Sequence, residues 1–140
     1  MVTYLLDTTA CVDIIRGKPE VIKRLKTEDC RQIFIPTIVF FELYSGPAKL
    51  PKVLAERHWD KLHKLSALLP APLSLNKEDA HRAALVRADL ETRGCKIGPY
   101  DTLIAGQALA RKFTLVTSNT DEFSRIPDLQ LQDWRSPSAK

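Results

Sequence analysis

The chain has 140 residues, 44% hydrophobic and 27% charged, with 21 Lys and Arg against 17 Asp and Glu, a formal net charge of +4 and a sequence pI of about 9.1. That length fits one domain, and the composition is that of a soluble globular protein. It excludes a bilayer-crossing chain, because no apolar run nears the roughly 20 residues needed to span the hydrocarbon. The mild positive charge is compatible with a nucleic-acid partner, although the basic residues are spread out, with only weak clusters over Arg16–Arg31 and Lys49–Lys64.

In chain order, Val2–Leu6 is an apolar run ending at Asp7 and reads as a buried strand. Thr8 and Thr9 cap a short helix over Ala10–Arg16 that Gly17 stops, and Pro19 opens another through Lys26. Gln32–Ile35 is the second strand, followed by a helix from Pro36–Thr37 to Tyr44, closed by Gly46. Lys49–Leu68 has the pattern of an exposed amphipathic helix, which Pro70–Pro72 ends, and Leu73–Leu75 fits a short strand. Asn76 caps a helix to Arg93 with a small-residue stripe of Ala80, Ala83, Ala84 and Ala88, and Gly94 follows it. Pro99 starts a helix through Lys112. Thr114–Thr117 is a strand, Asn119–Phe123 a loop or single turn, and Leu129–Leu131 a last short strand.

Strands separated by helical stretches predict an α/β fold, a parallel sheet flanked by helices on both faces. Ligands of such sheets gather beyond the carboxyl ends of the strands. Asp7 sits there after the first strand, Asn119 and Asp121 after the Thr114–Thr117 strand, and Glu42 on a helix beginning just past the second. Asp101 opens the helix introduced by Ile97-Gly98-Pro99. Alone, Asp7 reads as a helix cap, Asp101 as a dipole partner and Glu42 as half of a buried salt bridge. Converging, they repel one another, and a hard cation resolves the conflict. Mg²⁺ takes oxygen ligands, only one or two of them carboxylates, and lowers the pKa of a water that then attacks a phosphodiester.

Cys11, Cys30 and Cys95 share no C-x-x-C spacing, so they predict neither a zinc site nor disulfides and read as small buried thiols. MVTYLLDTT lacks the basic start of a signal peptide, so the cytoplasm is the expected location. A phosphatase using an aspartate after its first strand needs a second one two residues on, where Thr9 stands, and no phosphate-binding G-x-x-x-x-G-K-[ST] loop occurs.

Four segments, YLLDTTACVDIIRG, IPTIVFFELYSG, IGPYDTLIAGQALA and LVTSNTDEF with IPDLQLQDW after it, resemble in content and order the PIN-domain family, and within it the VapC toxins of toxin–antitoxin pairs. The resemblance implies a single PIN domain over residues 1–140 and an endoribonuclease using Mg²⁺, with Mn²⁺ as a substitute. It implies Asp7 and Asp101 as direct metal ligands, Glu42 as a direct or water-bridged one, and Thr8 and Thr117 as polar neighbours of metal water or phosphate. Asn119 stands where the wider family keeps a fourth acid, so one metal is the expectation, with Asp121 or Glu122 as nearby substitutes. Arg16, Lys18 and Arg82 are candidate phosphate contacts. The implied partners are an RNA, a tRNA for preference, a VapB-type antitoxin that alone meets operator DNA, and a second copy of the chain; no membrane is implied. The competing reading is a PIN-like module that binds RNA or protein without cutting, and the retained acids argue against it.

Overall fold

The computed structural model describes residues 1–136, and residues 137–140 of the expected domain lie outside them. Strand β1 (Tyr4–Leu6) leads into helices α1 (Thr8–Ile15) and α2 (Pro19–Thr27), then strand β2 (Ile33–Phe34). Helices α3 (Thr37–Ser45), α4 (Lys52–Ala67), α5 (Lys77–Thr92) and α6 (Pro99–Arg111) follow, before β3 (Thr114–Val116), the single turn α7 (Thr120–Phe123) and β4 (Leu131–Gln132). The sheet is parallel throughout, in the order β2-β1-β3-β4, with Tyr4 in register with both Ile33 and Thr114. Tyr4, Leu5 and Leu6 are all buried. Successive strand residues point to opposite faces, so helices cover both faces, as expected.

The expected elements form with shorter strands, the last of them shifted from Leu129–Leu131 to Leu131–Gln132. Leu73–Leu75 is the exception: only Leu73 pairs, bridging to Pro36, while its carbonyl takes the Thr37 N–H and its own N–H meets Ile35. The buried amide of Gln107 donates to the Leu73 and Ser74 carbonyls and pins this stretch as a tether rather than a strand. Asp7 itself, not Thr8 or Thr9, caps α1. Cys11 is buried, Cys95 half-buried and Cys30 exposed, so the reading of three buried thiols holds for one.

On α5 the alanine stripe is displaced from the packed face. Asp79, Ala83, Val86 and Leu90 are buried, whereas Ala80, Ala84 and Ala88 border an open cleft. The helix is turned so that Ala83 meets Gly106 of α6, where a Cβ would lie 2.5 Å from the Ala83 Cβ. Asp79 completes a capping box with Asn76 and takes a 2.9 Å ion pair from Arg111, which fixes that rotation. Gly106→Ala therefore forces α5 and α6 apart. The expected loss is about 2–3 kcal/mol in chemical denaturation, larger than any helix-propensity gain from alanine.

Away from the acids, Trp134 packs edge-on to Tyr4 at 5.4 Å beneath the Arg24 guanidinium, and Arg135 grips the buried Asp13 at 2.7 Å. This contact ties the end of the described chain to α1.

Candidate active site

The sheet order puts the topological switch between β1 and β3, since the chain leaves β1 towards β2 on one side and β3 towards β4 on the other. A crevice opens there beyond the carboxyl ends of the two strands. Asp7 follows β1 and Thr117 follows β3, and both are buried.

Asp7 is held closely. Its Oδ1 accepts from the Ala10 N–H at 2.9 Å and the Thr9 hydroxyl at 2.7 Å. The Thr9 oxygen in turn accepts the Ser118 N–H at 2.9 Å and lies 3.3 Å from the Thr117 hydroxyl. Thr9 gives its one proton to Asp7, so towards Thr117 it can only accept, and the single Thr117 proton is shared between Thr9 and the Asp7 carboxylate. Thr117 Oγ1 also accepts the Asn119 N–H at 2.9 Å. Thr9 thus locks the ends of β1 and β3 together, a role missed in the sequence because its partners lie more than 100 positions away. The nearest available signal was the hydroxyl two residues after a strand-end acid. Burial raises the Asp7 pKa above its ordinary value, partly opposed by the Thr117, Ala10 and Thr9 hydrogen bonds.

Thr8 Oγ1 donates to Glu42 Oε1 at 2.7 Å, so the Thr8 hydroxyl orients the second acid rather than standing free. Asp101, in the first turn of α6, is pushed up to about 6 by burial, then by the charges of Asp7, Glu42 and Glu122. Asp101 therefore lies within electrostatic reach of Asp7, Glu42 and Glu122. Glu122, not Asp121, completes the group: its Oε1 accepts from Asn119 Nδ2 at 3.3 Å, while Asp121 is exposed. Among the described residues, none of the four has an ion-pair partner.

Among the described residues no three His, Cys, Asp or Glu side chains close around a single point that could hold a metal. Oδ1 of Asp7 and Oε1 of Glu42 are engaged by hydroxyls, and each carboxylate keeps its second oxygen for a cation. The donors are nonetheless carboxylates, threonine hydroxyls and an amide, all hard oxygen groups. They suit a small divalent cation that keeps much of its own water and takes one or two carboxylates directly.

The proposed phosphate contacts are not gathered here. Arg16 is the C-cap of α1, at the opposite end of that helix from Asp7, and Lys18 caps α2 beyond it. Arg82 lies outside the lining of the cleft between α5 and α6, about 850 Å³, that reaches Glu122; its basic residues are Arg87 and Lys96. Arg87 is already paired with Glu91 at 3.3 Å, which leaves Lys96 the freer of the two.

A family model for the PIN domain matches residues 4–129. The tRNA(fMet)-specific endonuclease VapC of Salmonella typhimurium is 33% identical over 134 residues, covering 96% of this chain and 99% of that one. Ribonuclease VapC2 of Rickettsia felis is 35% identical over 138 residues, covering 94% and 97%. Among solved structures, DNA-bound VapBC from Salmonella typhimurium superposes with a TM-score of 0.85 at 32% identity, over 96% of this chain and 99% of that chain. The VapBC2 complex of Rickettsia felis on a promoter DNA fragment gives 0.84 at 33%, over 95% and 99%.

Proposed function

The chain belongs to the PIN-domain family, in its VapC branch, and from that premise we propose that it is a divalent-metal-dependent endoribonuclease, the toxin of a toxin–antitoxin pair. What supports this reading is the hydrogen-bonded set at the sheet's switch point, Thr9 on Asp7, Thr8 on Glu42 and Asn119 on Glu122, together with an Asp101 carboxyl raised by burial and by the charges of those three acids, none of the four having an ion-pair partner among the described residues. A module that only binds gains nothing from such mutual repulsion.

Asp7 and Asp101 would hold the ion, Mg²⁺ or Mn²⁺, with Glu42 directly or through water. When bound, it supplies a hydrolytic water and charge neutralisation at the phosphate. The residues do the positioning. Thr9 and the α1 amide keep Asp7 in one rotamer, and Thr8 does the same for Glu42. Asn119 gives its N–H₂ to Glu122, which leaves its carbonyl oxygen to orient the attacking water. Thr117 serves here by holding the Asn119 loop and Asp7 in place.

The substrate we propose is a tRNA, the initiator for preference, in line with the name of the Salmonella relative. The test is incubation of the purified chain with total RNA, with and without chelator. Cleavage restored by Mg²⁺ or Mn²⁺, leaving 5′-phosphate and 3′-hydroxyl ends, supports the reading; metal-independent cleavage with 2′,3′-cyclic phosphate ends overturns it.

A VapB-type antitoxin is the proposed partner, with operator DNA reached only through it. A groove of about 410 Å³ between α1, α2 and α4 is lined by Ile14, Ile15, Ile22, Leu25, Leu65 and Leu68 and edged by Lys26, Lys61 and Lys64. Its chemistry suits an amphipathic antitoxin segment with acidic flanks. Lys61→Glu with Lys64→Glu should weaken inhibition by the co-purified antitoxin about tenfold while free-toxin cleavage is unchanged. A homodimer and a cytoplasmic site of action belong to the same reading. No helix among the described residues is long and apolar enough to cross a membrane.

A further inference from the structure

Helix α3 is the most apolar helix of the chain by sequence, yet only Val39 of it is fully buried. Phe41 keeps 53% of its surface exposed and Tyr100 43%, and their rings meet edge to face with centroids 5.4 Å apart. An aromatic pair this open contributes less to a core than two buried leucines would, so packing does not account for it. Its location does suggest a use. Phe41 immediately precedes Glu42 and Tyr100 immediately precedes Asp101. The two helices that supply these acids are therefore bridged by a pair of exposed rings one residue before each acid.

We propose that Phe41 and Tyr100 form a stacking platform for an unpaired base of the RNA next to the scissile phosphate. The inference rests on the ribonuclease reading above. Several features favour a base over a protein side chain as the occupant. The platform joins the same turns of α3 and α6 that carry Glu42 and Asp101, and a flanking base of a phosphodiester held at those acids lies within a nucleotide's length of such turns. Single-stranded RNA is recognised chiefly by splayed bases lying on aromatic faces, which tolerates any base and needs no hydrogen-bond pattern. Edge-to-face packing also fixes one ring by the other and leaves a π face for the ligand. The platform accordingly selects unpaired over duplex RNA, a preference that the metal site cannot provide, since every phosphodiester looks alike to it.

The test compares Phe41→Leu and Tyr100→Leu, which preserve apolar surface and remove the π face, with Phe41→Trp and Tyr100→Phe, which keep it. Binding of a labelled RNA hairpin with an unpaired loop is measured on the cleavage-deficient Asp7→Asn background. Sedimentation reports the assembly state, and cleavage is followed separately on the native background. Each leucine variant should weaken hairpin binding about tenfold or more, with the aromatic variants close to the parent. Fully duplex RNA should bind alike to all of them. Leucine variants that bind the hairpin like the parent overturn the platform, even though cleavage by the native chain upholds the ribonuclease reading. A loss that comes with a change in sedimenting mass also overturns it, by showing that a second copy covers the rings. If the native chain cuts no RNA and the Asp7→Asn chain binds none, the ribonuclease reading falls and takes the platform with it.

Discussion

Asp7→Asn reduces RNA cleavage by at least roughly a thousandfold, equivalent to ~4 kcal/mol of transition-state stabilisation, while the protein remains folded. The two halves of this expectation have separate causes. Asparagine caps helices about as well as aspartate, and its carbonyl oxygen can still accept from the Ala10 N–H and the Thr9 hydroxyl that now hold Asp7. The lock between the ends of β1 and β3 therefore survives. The charge does not, and Asp7 is the most buried of the four acids, the one that no solvent ion can replace. Circular dichroism and a melting curve should match the parent while the cleavage rate falls to background. A variant that stays folded and cuts at the parental rate would show that the acid cluster is not the seat of the chemistry.

Which parts of this arrangement the sequence revealed follows from how local each signal is. Asp7 and Asp101 stood out because one ends an apolar run and the other follows Gly98-Pro99, punctuation that places them without knowledge of the rest of the chain. The parallel sheet was readable from the alternation of short apolar runs with longer helical ones. Thr9 was not, because its importance lies in a hydrogen bond to Ser118 across the sheet. Neither was the choice of Glu122 over Asp121, adjacent residues that differ only in which way a single helical turn points them. The alanines of α5 misled for a related reason. A stripe of small residues marks a face that permits close approach, but the rotation was decided by Gly106 opposite Ala83 and by the Asp79–Arg111 pair. The apolar run IPTIVFFELYSG suggested a buried salt bridge for Glu42, and hydrophobicity alone could not reveal that Phe41 and Tyr44 face outwards.

Asp101→Asn separates stability from activity in opposite directions: cleavage is lost, and the metal-free protein becomes harder to unfold at neutral pH. Asp101 is pushed up to about 6 from an ordinary 3.8, first by burial and then by Asp7, Glu42 and Glu122. In the metal-free protein the folded state therefore holds this proton more tightly than the unfolded chain. Below the unfolded value both states are protonated and the site costs nothing. As pH rises from about 4 through about 6, the unfolded chain ionises freely while the folded one resists, so this contribution to stability is lost and stays lost at higher pH. Asp101 is only half-buried, so solvent screening reduces the cost to roughly 1 kcal/mol, a few degrees in Tm. Melting curves across that range in chelator should show the parent falling relative to Asp101→Asn. Mg²⁺ or Mn²⁺ should raise the parent's Tm at pH 7 and leave the variant nearly unmoved, because a ligand that binds only the folded state stabilises it by mass action. Equal pH profiles for the two proteins would mean that Asp101 feels no crowding from the other acids. The four carboxylates would then not form one site, and the metal-dependent mechanism would lose its structural basis.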